Sequence, residues 1–427
     1  MDITTLLLIY WLPLGLLLIT WGSWDNDRLR DYTVTTLIVI TTATIAYASL
    51  GFGLQFGGVG LRPNMPVGLQ GLDRMWALSA SVGGKWGVFG LEGFLLQARS
   101  TAPQDTALIF SLFLHQLPLI ITATLFPGLA LAGRARLSII TLISIITAGV
   151  LIPITGAWAW GGGWLSMLGG AAQLGHGFVD VGAIATSFTV AGFVTLAALL
   201  ALRLRSQATP QLPAILAPAR SISGILILTL GWLVWLNTDP IVLATRSIDL
   251  TFSVTNIVLG TSAATLLTLL IGWFISGQPN IPFAAAGSIG GLIATTAVAA
   301  FVPTWAALLT GAIAGLLVAL ARLFVARSHS SDVFGAFATA GLSGWWGLLA
   351  VGLFADGTYG AGWNNVGVSE YLGVSGQGVT GLSAGANLLS DPGQFTAQLT
   401  GALIVALLAF VITWLLVRPW RRWNRQP

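Results

Sequence analysis

The chain has 427 residues, of which 55% are hydrophobic and only 7% charged; soluble domains carry about 25% charged residues, so a soluble globular protein is excluded. Eighteen Lys and Arg against 14 Asp and Glu leave a net charge of +4, and this small excess follows the loops between apolar runs, so it does not point to nucleic-acid binding. There is no cysteine, hence no disulfide, thiolate nucleophile or cysteine metal site.

A bilayer-crossing helix needs about 20 mostly apolar residues. Runs of that kind occupy 3–22, 33–57, 105–127, 137–159, 178–202, 218–238, 252–275, 281–300, 303–324, 332–354 and 396–417, eleven in all. The expected fold is therefore an all-α polytopic membrane protein, a single membrane domain over 1–427. The first run, MDITTLLLIYWLPLGLLLITWG, lacks the basic flank of a signal peptide and is long enough to span, so it reads as the first helix of the mature chain. Two connections are long. Residues 58–104 contain a weakly apolar piece at 76–96, and the glycine-rich 355–394 reads as an ordered external loop.

Basic residues set the expected orientation. With the N-terminus outside, the inner connections and tail hold Arg28, Arg30, Arg134, Arg136, Arg203, Arg205, Arg220, Arg322, Arg327, Arg418, Arg421, Arg422 and Arg425. The outer ones hold Arg62, Arg74, Lys85, Arg99 and Arg246, which is five against thirteen. The C-terminus is then cytoplasmic.

Two runs echo each other. SDVFGAFATAGLSGWWGLLAVGLF, residues 331–354, opens on a lone carboxylate, Asp332, and carries small residues and Phe337. FVDVGAIATSFTVAGFVTLAALLALRLR, residues 178–205, opens on Asp180 and carries Phe188. Small residues let helices approach closely. Division into a five-span half over 3–202, a second over 218–354 and a final helix over 396–417 gives each half an odd number of spans. The halves then run in opposite directions, with a path expected at their interface.

Polar residues in apolar runs are the candidate functional groups. Asp180 and Asp332 suit two roles, capping the first turn of a helix and lending negative potential to a path. Asp239, in GWLVWLNTDP beside Trp232 and Trp235, suits either a small-cation site or turn chemistry before Pro240. In GAWAWGGGW, Trp158 reads as an interfacial anchor, while the three glycines after Trp160 allow a backbone path that turns this ring to a vestibule. His115 and Gln116 form the strongly polar pair of the third run. His115 is read as a structural histidine between helices or as a pore group able to move a proton. His176 and His329 fall in outer and inner loops, so the three histidines do not form a metal site. No GxxxxGK[ST] or phosphoryl-transfer motif is present, which argues against ATP-driven pumping, and no enzymatic activity is expected. No cofactor is expected.

The order of these pieces resembles the ammonium transporter family, the Amt/Mep/Rh superfamily. DVFGAFATAGLSGWWGLLAVGLF resembles the family's tenth helix, and FAAAGSIGGLIATTAVAAFVPTWAALLTGAIAG its eighth and ninth. GWLVWLNTD resembles its sixth-helix stretch, WGGGW with VDVGAIATSFTVAG its fourth-to-fifth passage, and AGRARL a cytoplasmic loop. The resemblance implies a homotrimer with a narrow pore in each subunit, in a bacterial inner membrane, carrying ammonium, ammonia or a similarly small solute. It makes Trp160 the wall of an outer recruitment site, puts Asp239 where a serine commonly helps bind ammonium, and places Trp235 and Leu119 at the two gating positions. Asp180 matches a structural acid beneath the recruitment site, and Phe188 and Phe337 fall on the two pore histidines. Phenylalanine offers neither the hydrogen bonds nor the proton route of histidine. A non-conducting sensor or structural protein and a neutral-gas channel therefore stand as alternatives. The altered AGRARL loop and short arginine-rich tail argue against a regulatory partner of the PII class.

Overall fold

The computed structural model describes residues 3–21, 26–62, 65–78, 86–97, 103–204, 217–245, 248–327 and 335–424. Eleven helical spans are long and apolar enough to cross a membrane. They are α1 (Ile3–Thr20), α2 (Leu29–Leu61), α3 (Thr106–Leu131), α4 (Leu137–Ala159), α5 (Val181–Leu202), α6 (Pro218–Asn237), α7 (Leu250–Ser276), α8 (Ile281–Val298), α9 (Thr304–Phe324), α10 (Phe337–Phe354) and α11 (Pro392–Asn424). Asp332, expected at the entrance of the tenth span, lies outside the described residues, as do Lys85, Arg99, Arg205, Arg246, His329 and Arg425.

An apolar helix in a bilayer gains little by hiding apolar surface from lipid, so close packing and internal polar satisfaction decide how the spans assemble. Threonines bond back into their own helices: Thr122 donates to the Pro118 carbonyl at 2.6 Å, Thr189 to Ala185 at 2.7 Å and Thr296 to Leu292 at 2.6 Å. Their methyls are then free to pack. α5 and α10 approach closely, since a Cβ on Gly192 would come within 2.2 Å of the Gly341 Cα. Gly344 lies against Ala185 and Thr189, so the two helices cross antiparallel, backbone on backbone. Phe188 precedes Gly192 by one turn, and Phe337 precedes Gly341 by one turn in a π-helical segment, Phe337–Leu342.

The two ends of the bundle differ. At one end the loop after α3 meets the C-terminal tail: the Arg136 N–H donates to Asn424 Oδ1 at 3.0 Å, and the Arg136 guanidinium stands 4.5 Å from the Trp423 ring centroid. At the other end the described parts of the long connections carry short strands. A hairpin of β1 (Met75–Ala77) and β2 (Gly87–Gly90) occupies part of the stretch after α2, and β3 (Glu370–Tyr371) pairs with β4 (Val374–Ser375) before α11. The hairpin revises one expectation. Trp158 is not a lipid-facing anchor; it is buried, its Nε1 donates to the Val88 carbonyl at 2.7 Å, and its ring meets Trp164 edge-on. Its place at the end of a span was legible, but the strand that covers the ring was not.

A strap at 175–180 leads into α5 and is stitched to α11 by two glutamines. Gln394 accepts from the His176 N–H at 2.8 Å and donates to the Gly177 carbonyl. Gln398 accepts from the Val179 N–H at 2.8 Å and donates to the carbonyls of Val179 and Leu348. Each buried backbone group so served avoids a desolvation cost of about 1–3 kcal/mol.

Candidate functional site

The strap sets the first candidate residue. Gly182 and Ala183 both adopt positive φ, 64° and 55°, which turns the chain sharply into α5. Asp180 is buried behind that turn, where its carboxylate accepts from the Thr186 N–H at 2.7 Å and the Ala185 N–H at 3.3 Å. It therefore caps the otherwise unbonded first turn, one of the two roles its position allows. Gly182 is required for a second reason, since a Cβ there would lie 2.2 Å from Cη2 of Trp235.

Trp235 stands near the end of α6, fully buried. His115 on α3 lies beside it, the rings 5.1 Å apart and 25° from parallel, and His115 Nε2 meets the Trp235 carbonyl oxygen at 2.8 Å. A carbonyl oxygen only accepts, so Nε2 carries the hydrogen of this contact, and Nδ1 has no hydrogen-bond partner. Leu119, one turn further along α3, is fully buried, and the buried side-chain amide of Gln116 has no hydrogen-bond partner.

Asp239 follows α6 and opens the short helix Pro240–Thr245. Its Oδ1 accepts from the N–H groups of Ile241 at 2.8 Å and Val242 at 3.1 Å. The turn role is thus fulfilled by one oxygen alone. Oδ2 is buried and lacks a hydrogen-bond partner, and Asp239 lies within electrostatic reach of both His115 and Arg62.

Trp160 ends α4, buried, with its ring 5.9 Å from Trp363, which in turn meets Phe301 edge-on at 4.9 Å. Deeper along α5, Phe188 stacks on Trp232 of α6 at 5.3 Å and meets Phe126 of α3 edge-on at 5.7 Å. Trp232 is held by its Nε1, which donates to Thr296 Oγ1 at 2.9 Å. Phe337 is half-buried and meets Phe193 edge-on at 5.2 Å. The structure thus brings Asp239, Trp235 and His115 together, packs Gly182, two residues after Asp180, against Trp235, and gives Phe188 and Phe337 separate aromatic partners.

Phe126 and Trp363 were not singled out in the sequence, Trp232 was read only as a ring beside Asp239, and Arg62 only as one basic residue of a loop. A signal for Arg62 existed in the triple glycine after Trp160. Gly162, at φ 88°, lies where a side chain would meet Cγ of Arg62 at 2.9 Å. Chemically the assembly offers aromatic faces, one free carboxylate oxygen and no nucleophile activated by a base. Among the described residues no group of three or more His, Cys, Asp or Glu is placed to hold a metal ion.

Comparison with known proteins agrees with the architecture. The chain is 30% identical over 287 residues to the ammonium transporter Amt2 of Archaeoglobus fulgidus, a stretch covering 65% of this chain and 60% of that relative. Among solved structures, a protein described as a sensor Amt protein superposes with a TM-score of 0.73 at 19% identity, covering 99% of this chain and 92% of that one. Mep2 of Candida albicans gives 0.73 at 20% identity, covering 98% and 83%. These likenesses at low identity establish the shared fold. The profile of the Ammonium Transporter Family matches residues 1–419, and the chain accordingly belongs to that family.

Proposed function

We propose that this protein provides a transmembrane path for ammonium, ammonia or a comparably small solute, with Trp160, Trp235 and Asp239 forming its outer mouth. From there the path runs past His115 and Leu119 toward Phe188 and Phe337 at the crossing of α5 and α10. The observation that carries this reading is the buried Oδ2 of Asp239, an acceptor without a protein donor, set beside Trp235 and His115. A buried polar atom left open is costly, which suits a place where a polar solute supplies the missing bond. The relatives' descriptions as ammonium transporters support the choice of solute.

The five-plus-five inverted repeat, the homotrimer and the absence of a PII-class partner belong to the same proposal, as does an inner-membrane location with the N-terminus outside. The meeting of Arg136 with the tail at one end of the bundle supports the orientation, because it gathers basic residues on a single side.

One observation favours a second reading, a non-conducting sensor or structural protein: Phe188 is wedged between Phe126 and Trp232 and fills the space it occupies. Flux into proteoliposomes decides between them. With ammonium or methylammonium outside, and with or without a membrane potential, a path gives equilibration faster than protein-free vesicles. A rate equal to bare lipid, with the protein folded, selects the second reading.

A further inference from the structure

Arg62 follows directly after α2 and reaches across the outer mouth to Trp160. Its guanidinium carbon stands 4.8 Å from the indole centroid, and Nη1 donates to the Trp160 carbonyl at 2.8 Å. The absence of a side chain at Gly162 leaves room for its stem. Ring face, carbonyl and glycine gap together fix one position for the guanidinium.

The guanidinium thus sits where a cation held over this ring would sit. A cation held by an aromatic ring sits over its face within about 6 Å of the centroid, and a second like charge on the same face is repelled. Burial draws the Arg62 pKa down to about 10 while Asp239 opposes the fall, so the group remains charged at neutral pH. Arg62 and Asp239 make no contact ion pair. The mouth therefore already holds a cation and an anion of its own, set apart, with Asp239 Oδ2 still open.

We propose that Arg62 is a resident counter-cation that occupies the aromatic site, so that the mouth takes an uncharged small amine, ammonia in the simplest case, and rejects its protonated form. A neutral amine suits both neighbours: its lone pair accepts from a guanidinium N–H and its own N–H donates to Asp239 Oδ2. Ammonium has no lone pair to offer Arg62 and repels it. This inference rests on the small-solute path proposed above and names the form of solute that enters it.

The test uses the intact protein, Arg62→Gln and the double variant Arg62→Gln/Asp239→Asn, with methylammonium chloride as the probe. Binding is followed by calorimetry and tryptophan fluorescence. The intact protein is expected to bind methylammonium too weakly to saturate. Arg62→Gln is expected to gain at least about tenfold in affinity, as an emptied ring face and an uncompensated carboxylate become available. The second substitution should abolish the gain.

Ammonia flux through the intact protein should follow the concentration of uncharged ammonia as pH is varied and ignore the membrane potential. Saturable methylammonium binding by the intact protein would overturn the proposal, and that measurement needs no folded variant. A variant that melts like the parent yet gains no affinity would overturn it equally. If the intact protein gives no ammonia flux while Arg62→Gln gains Asp239-dependent binding, the path is refuted and the role of Arg62 stands.

Discussion

At the scale of single residues, Asp180 and Phe188 illustrate how far a sequence carries a reading. An acid a few residues ahead of an apolar run already suggests a cap, and Asp180 does accept the two N–H groups at the start of α5. Replacing it with alanine leaves both donors buried without partners, at about 1–3 kcal/mol each. Asp180→Ala is therefore expected to lower the melting temperature in detergent clearly, and Asp180→Asn, which keeps one acceptor oxygen, to lower it less. Phe188 could be located by its distance from Asp180, but its neighbours could not. Phe126 and Trp232 lie 62 residues before and 44 residues after it in the chain, and no local pattern announces their meeting. Phe188→Ala should cost about 3–5 kcal/mol of stability, since a large buried ring is lost. Together with Phe337→Ala it should speed ammonia equilibration in proteoliposomes, and an unchanged rate would remove these rings from the path. Arg62 was the least legible residue, because one of four basic residues in a long connection looks like the others until the fold sets it on Trp160.

At the scale of elements, the α5–α10 crossing and the strap at 175–180 position the site. Small residues in both helices made close packing an expectation; which glycines touch emerges only from the crossing angle and register. Gly192→Val would drive a side chain into the Gly341 backbone, 2.2 Å from the would-be Cβ. Overpacking of this kind costs about 1–3 kcal/mol, to be read as a lower midpoint in detergent unfolding, with Gly192→Ala the milder case.

The strap brings its own pH dependence. His176 is buried against Tyr371, the rings 4.4 Å apart, and Tyr371 donates its hydroxyl hydrogen to Asp391 at 2.6 Å. Burial lowers the His176 pKa from 6.5 to about 4, against the opposing pull of Asp391. Between those values the unfolded chain binds the proton and the folded strap does not. This contribution is therefore fully present above about pH 6.5 and is lost progressively as pH falls toward 4. Melting curves across that window should slope accordingly, and His176→Gln should flatten the slope. The long loop around Tyr371 was legible as ordered, whereas its engagement with His176 was not.

At the scale of the whole molecule, eleven spans and their order were legible because membrane helices announce themselves by length and apolarity. Differences were confined to ends, where local polarity competes with packing: α2 begins at Leu29 and α11 continues through the tail to Asn424. Trp160, Trp235, Asp239 and His115 were legible as candidates, since polar and aromatic residues in apolar runs are few. What remained hidden was the convergence of loops on them. The central claim is that this assembly opens a path for a small nitrogenous solute. Stopped-flow measurement of internal pH in proteoliposomes after an ammonia jump tests it most directly. Alkalinisation faster than in protein-free vesicles of the same lipid is predicted, and identical rates with correctly inserted protein would contradict the claim.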